Sequence, residues 1–199
     1  IENNAAQLGQ AVALHTEGDR LKFINCRILG NQDTIYTGAK FTRLYFKDCY
    51  IDGTTDFIFG PSTALFEDCI IHSKRNSYVT AASTPKEAKY GYVFKHCKLT
   101  AEPGVDKVYL GRPWRPYAYT LFIECELGKH IVLAGWHNWG KQSNEETARY
   151  MEYKNTGEGA NVSERVAWSK QLTKKEAEAV TVDAIFSTCL LYTSDAADD

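Results

Sequence analysis

Apolar and polar positions recur along this chain in one phrase: Phe, two residues, Cys, one residue, then Ile or Leu. The phrase occurs five times, as Phe23/Cys26/Ile28, Phe46/Cys49/Ile51, Phe66/Cys69/Ile71, Phe94/Cys97/Leu99 and Phe122/Cys125/Leu127. The cysteines are spaced by 23, 20, 28 and 28 residues, a period that marks stacked supersecondary units. Each unit is rich in Phe, Tyr, Ile, Val and Thr, and Cys-x-Ile alternates at period two, so the units are strands. Gly and Asp follow as turn residues in Ile28-Leu29-Gly30 and Ile51-Asp52-Gly53. One coil per repeat with like residues stacked predicts an all-β solenoid, a parallel β-helix with the cysteines turned inward as small apolar side chains. Disulfides between like positions are disfavoured, because neighbouring strands stand ~4.8 Å apart, wider than the Cβ separation of a relaxed bridge. There is no close Cys-x-x-Cys pair to suggest zinc. A leucine-rich solenoid would need a Leu-x-x-Leu-x-Leu skeleton, which the chain lacks. Ile1-Glu2-Asn3-Asn4 reads as a sixth copy, with Asn4 in the Cys place when aligned on Phe23-Ile24-Asn25-Cys26.

The remaining segments are less regular. Thr173-Lys174-Lys175-Glu176 has the form of a capping box leading into Ala177-Glu178-Ala179, and predicts one short C-terminal helix over an end or flank of the solenoid. Residues 141–159 are polar and aperiodic, and read as a loop. Patterning fades after Phe186, so residues 1–186 form the expected domain. Residues 187–199 look like translated adapter sequence, a non-native tail. The chain opens in mid-strand, as a fragment or processed product would, so a solenoid truncated at its N-terminus is expected to expose a strand edge and apolar core and to be poorly stable alone. Composition adds exclusions. There is no apolar run near 18 residues, hence no membrane span. The net charge of −2 argues against a nucleic-acid partner.

Aligning two consecutive coils on their cysteines brings out candidate chemistry. Cys26-Arg27-Ile28-Leu29-Gly30-Asn31-Gln32-Asp33 matches Cys49-Tyr50-Ile51-Asp52-Gly53-Thr54-Thr55-Asp56, with each Asp seven residues after its Cys. Equal register in a β-helix means adjacent stacking, so the backbones at Asp33 and Asp56 should lie roughly 5 Å apart. Two unpaired carboxylates that close repel, and one pKa should rise. Turn aspartates capping their own loops are the bland alternative, and a calcium site is a third, although its remaining oxygen ligands are not apparent. One coil earlier, Gln10 matches Gln32, and two stacked amides can donate to an oxyanion without titrating. In Gly111-Arg112-Pro113-Trp114-Arg115-Pro116, prolines stiffen the backbone and Arg112 could fork onto a carboxylate and keep it ionised. A surface salt bridge is its plainer role. Gly135-Trp136-His137-Asn138-Trp139 adds aromatics that suit sugar rings or, equally, cap the core.

At these residues the chain resembles the pectin methylesterases. The resemblance rests on Gln10-Ala11-Val12-Ala13-Leu14, Gly30-Asn31-Gln32-Asp33-Thr34-Ile35-Tyr36, Asp56-Phe57-Ile58-Phe59-Gly60 and Gly111-Arg112-Pro113-Trp114, in order and spacing. Gly135-Trp136 and Trp168-Ser169-Lys170-Gln171-Leu172-Thr173 add to it. The Gly-Asn-Gln-Asp form looks more bacterial than plant. The resemblance implies a right-handed parallel β-helix that removes the C6 methyl esters of pectin and releases methanol. It implies Asp56 as nucleophile, Asp33 as general acid and then base, Gln10 and Gln32 as oxyanion donors, and Arg112 orienting Asp56 and lowering its pKa. Tyr36, Phe59, Trp114 and Trp136 would line the groove. No cofactor and no metal are implied. The partner would be pectin, the full-length form a monomer, and the location secreted, periplasmic or at the cell surface. Two other functions remain open at this point: a pectin hydrolase or lyase, and a non-catalytic polysaccharide-binding solenoid.

Overall fold

The structure, a computed structural model, describes residues 1–5 and 9–187. Each repeat folds into one coil of three short strands, and like strands of successive coils pair in parallel to form three sheets. The first sheet contains β1 (Leu14–Thr16), β4 (Ile35–Thr37), β7 (Ile58–Gly60), β10 (Tyr78–Ala82) and β13 (Tyr109–Gly111). The second contains β2 (Leu21–Ile24), β5 (Arg43–Lys47), β8 (Thr63–Glu67), β11 (Tyr92–Lys95), β14 (Tyr119–Ile123), β16 (Arg149–Tyr153) and β17 (Lys170–Gln171). The third contains β3 (Arg27–Ile28), β6 (Tyr50–Gly53), β9 (Ile70–Ser73), β12 (Lys98–Ala101) and β15 (Glu126–Leu127). The result is the expected right-handed parallel β-helix.

The repeated phrase explains how the coil closes. Its Phe lies on the second sheet and points inward, so Phe23, Phe46, Phe66, Phe94 and Phe122 stack at centroid separations of 4.8, 4.7, 4.5 and 4.4 Å. The residue just before each Cys (Asn25, Asp48, Asp68, His96, Glu124) takes a left-handed backbone with φ of 51–54°, and this turns the chain from the second sheet into the third. Asn and Asp tolerate that region better than most residues. The Cys then points in. Cys49, Cys69, Cys97 and Cys125 are buried and Cys26 is half-buried, all five as free thiols. From Cys49 onward each thiol donates to the carbonyl of the Phe one coil back, at 3.3–3.6 Å. A small apolar residue with a weak donor is what this corner selects.

Three expectations need correction. Residues 141–159 are not all loop: β16 adds a rung to the second sheet, with Phe122 level with Glu152 and Cys125 bonded to Asn155. This coil carries Glu at the Phe place and Asn at the Cys place. Buried Arg165 neutralises Glu152, so a polar pair occupies an inward site and hides the period. A short helix, α1 (Ser143–Thr147), lies in the same region. The N-terminal residues also sit further along the coil than expected. Glu2 bridges Leu29 and Asn3 N–H donates to the Leu29 carbonyl, so Ile1–Asn4 runs beside the third sheet and Asn4 is not at the Cys place. The C-terminal helix α2 (Lys174–Glu178) has both halves of its capping box, Thr173 with Glu176, but a second helix, α3 (Val182–Phe186), follows it. Together they cover the outer face of the second sheet through Ala177, Val180 and Ile185. Apart from Ser187, the expected tail lies outside the described residues.

The Phe stack supplies the central test of this packing. Phe94→Ala should cost about 3–5 kcal/mol of stability, measured by urea unfolding; a loss under about 1 kcal/mol would mean the stack does not carry the core.

Candidate active site

The turns that link the third sheet to the first place the two acids. Ile35 pairs with Ile58 and Tyr36 with Phe59, so Asp33 and Asp56, each two residues upstream, stand level on adjacent coils. The Asp33 N–H donates to the Thr55 carbonyl at 3.0 Å, and the Asp56 N–H to the Tyr78 carbonyl at 2.9 Å. Both aspartates hold left-handed φ angles, 66° and 49°, a costly backbone for an ordered non-glycine residue. Both are buried, at 8% and 6% exposure.

Their surroundings differ. Arg112, immediately after β13, grips Asp56 with Nε at 2.9 Å and Nη2 at 2.7 Å, a planar bidentate fork. Among the described residues, the Asp33 carboxyl has no such cation of its own. Burial, and then the charge of Asp56, push Asp33 up to about 6, against a smaller downward pull from Arg112. Burial also raises Asp56, with the Arg112 fork opposing it. Arg112 exerts the lowering that the sequence led us to expect, and desolvation of the buried side chain outweighs it, so the net shift is upward.

Gln10 and Gln32 are brought level despite the shifted N-terminus. The Ala11 N–H donates to the Gln32 carbonyl at 3.2 Å; as with Asp33 and Thr55, the donor stands level with the residue after its acceptor, so residue 11 lies beside residue 33 and residue 10 beside residue 32. Ala13 and Leu14 both donate to Thr34, a one-residue bulge that absorbs the change of register just after the site. Gln10 is exposed and Gln32 half-buried.

On the outer face of the first sheet, His15, Tyr36 and Phe59 form a ladder with centroids 4.8 and 4.7 Å apart. Trp114 meets Phe59 edge-on at 5.8 Å. Beyond Trp114 the surface falls into a depression of about 370 Å³ lined in part by Tyr36, Lys40, Pro61, Trp114 and Arg115. Trp136 does not join this wall. It is 1% exposed, stacks on Tyr150 at 4.3 Å and donates from Nε1 to Glu152 at 3.3 Å. It bridges Gly111 from the next coil, which turns its ring into the core. The tryptophan that reaches Arg112 is Trp139, three residues on, whose ring centroid lies 3.7 Å from the guanidinium carbon; Tyr78 covers the opposite side at 3.9 Å. Sequence reasoning missed both as site residues, although Trp139 stands in the aromatic cluster at 135–139. Tyr78 carries no signal, because no motif marks the start of β10. Among the described residues no three His, Cys, Asp or Glu side chains gather as a metal-ligand set, and no helix is long and apolar enough to cross a membrane.

Comparison with known proteins places this geometry. The Pectinesterase family model matches residues 1–188. Pectinesterase 31 of Arabidopsis thaliana is 45% identical over 179 residues, 89% of this chain and 56% of that protein. A solved pectin methylesterase from carrot is 35% identical with a TM-score of 0.88, covering 94% of this chain and 63% of that one. A solved pectin methylesterase in complex with a hexasaccharide is 31% identical with a TM-score of 0.77, covering 90% and 61%. The chain spans about half the length of the curated relatives it matches. The relatives at 45% and 35% are plant proteins, so overall identity does not follow the bacterial leaning of the Gly-Asn-Gln-Asp motif.

The acid pair sets a linkage test. The folded state keeps a proton on Asp33 up to about pH 6 that the unfolded chain releases near its ordinary value, so stability falls as pH rises through that window. Asp33→Asn should therefore stabilise the protein by about 2 kcal/mol above pH 6, with the gain vanishing by about pH 4. Urea unfolding at three pH values checks this; a gain independent of pH would contradict it.

Proposed function

The chain belongs to the pectinesterase family, and on that premise we propose that it hydrolyses the C6 methyl esters of pectin through Asp56 and Asp33. The observation that carries this reading is the asymmetry of two level, buried carboxyls: one is forked by Arg112, the other is free to hold a proton. Asp56, as carboxylate, attacks the ester carbonyl carbon. The carbonyl electrons move onto oxygen, where the Gln10 and Gln32 amides donate; losing one such donor costs other hydrolases on the order of 3 kcal/mol. The C–O bond to methoxide breaks as Asp33 gives up its proton, releasing methanol and leaving an anhydride on Asp56. Asp33, now a base, takes a proton from water, whose oxygen attacks the acyl carbon and returns Asp56 as carboxylate.

The ladder of Tyr36 and Phe59 with Trp114 gives sugar rings apolar faces to lie on, and Lys40 and Arg115 bring cations to the same depression. The hexasaccharide bound by a solved family member supports an extended polymer as substrate. A cell-wall polymer would put this enzyme outside the cell that makes it. The family resemblance also supports a monomer, and the steps above need neither metal nor cofactor.

The test is methanol release from methylated pectin, with reducing ends and unsaturated products assayed in parallel. Methanol alone is expected, and Asp56→Ala should reduce it by about 10³-fold or more. Unsaturated product, or an unaffected Asp56→Ala, would overturn the reading. The pH dependence follows from the same roles. Asp33 must be protonated and Asp56 ionised in the free enzyme, so kcat/KM should be bell-shaped, declining above about pH 6 as Asp33 loses its proton. A profile flat from pH 5 to 9 would contradict these assignments.

A further inference from the structure

Arg112 is held by more than its carboxylate. Its guanidinium carbon lies 3.9 Å from the Tyr78 ring and 3.7 Å from the Trp139 ring, so aromatic faces cover both sides of the plane that forks onto Asp56. The two rings come from different coils, and His137 joins them. Its Nδ1 accepts the backbone N–H of Trp139 at 3.0 Å, and its ring packs against Tyr78 and Tyr109 at 5.4 and 5.3 Å. Its own N–H donates at 3.1 Å to the carbonyl of Gly111, the residue before Arg112. Tyr78 also accepts the Asp56 N–H through its carbonyl. A side chain that only lines a sugar groove needs none of these ties.

We infer that Tyr78, Trp139 and His137 are positioning residues that act through Arg112: two rings fix the plane of the guanidinium and a histidine ties them together, so that the fork meets Asp56 already aligned. A guanidinium presents a rigid fork, but its long stem rotates freely in water. Rings on both faces remove that freedom and exclude water above and below the two hydrogen bonds, which strengthens each of them. The groups facing Asp56 are Arg112, Asp33 from the preceding coil, and the Tyr150 hydroxyl, whose ionisation the Asp56 charge opposes. Of these Arg112 alone favours the carboxylate form, so loosening it raises the pH at which Asp56 ionises. Burial and the Arg112 charge both lower His137, which suits a neutral ring whose Nδ1 is an acceptor.

This inference rests on the roles given above to Asp56 and Arg112, and its test is separable from them because it needs no substrate. The carboxyl carbons of Asp33 and Asp56 are titrated by ¹³C NMR in the wild type and in Trp139→Leu, Trp139→Phe, Tyr78→Leu and Tyr78→Phe. Leucine keeps apolar bulk without a π face; phenylalanine keeps the face. The leucine variants should raise the Asp56 midpoint by about half a pH unit or more, and the phenylalanine variants should restore most of it. On methylated pectin the leucine variants should lose about tenfold in kcat with KM within about threefold of wild type. An Asp56 midpoint that is the same in wild type, leucine and phenylalanine variants would overturn the inference, and so would a loss confined to KM. Should Trp139→Leu fail to fold, Tyr78→Leu and His137→Ala are titrated in the same way: a raised Asp56 midpoint supports the inference, and an unmoved one overturns it.

Discussion

The parallel backbone ladder is what the rest of this molecule depends on. Once Ile35 pairs with Ile58 and Tyr36 with Phe59, residues 33 and 56 have no choice but to stand side by side, at the ~4.8 Å strand spacing. Every other feature of the site is arranged around that proximity. Two carboxyls forced level cannot both be comfortably ionised, and the fold differentiates them by giving Arg112 to one.

That arrangement is sustained by a core indifferent to it. The Phe stack and the buried cysteines run through the coils along the second sheet and its corner with the third, and the thiol-to-carbonyl bonds repeat at every corner from Cys49 to Cys125. The acids occupy the opposite corner, where the chain turns from the third sheet into the first with a left-handed residue. Left-handed residues recur at both corners, but the repulsion between Asp33 and Asp56 falls on this one edge. A buried carboxyl carrying an unfavourable charge costs stability that a packed core can offset, and such a trade is common where chemistry is done. The β16 rung has its own polar solution: Glu152 sits at a Phe place, and Arg165, Trp136 and Asn155 hydrogen-bond its carboxylate.

Much of this was legible in the sequence because a solenoid converts spacing into adjacency. The Phe-x-x-Cys-x-Ile phrase marks the coils, and equal distance from Cys26 and Cys49 marks the acid pair. What escaped was whatever broke the phrase. The rung at β16 is hidden by Glu152 and Asn155, whose polarity only a partner thirteen residues downstream of the glutamate, Arg165, makes tolerable. Asn4 is misplaced by spacing because extra residues precede Gln10, and spacing alone does not say on which side of a strand an insertion falls. Trp136 and Trp139 differ by three positions in one aromatic cluster; the Gly111 bridge turns the first inward, and no pattern of residue types reveals that. Tyr78 has no local mark at all, since its importance lies in facing an arginine on the next coil.

The most direct measurement is a double-mutant cycle. Asp33→Asn, Asp56→Asn and the double variant are unfolded in urea at pH 8, where the wild-type pair carries most charge. If the ladder holds the two carboxyls level, Asp33→Asn stabilises the wild type more than it stabilises the Asp56→Asn background, with a coupling of about 0.5–3 kcal/mol. Additivity within about 0.3 kcal/mol would show that the two acids do not feel each other, and would contradict the account.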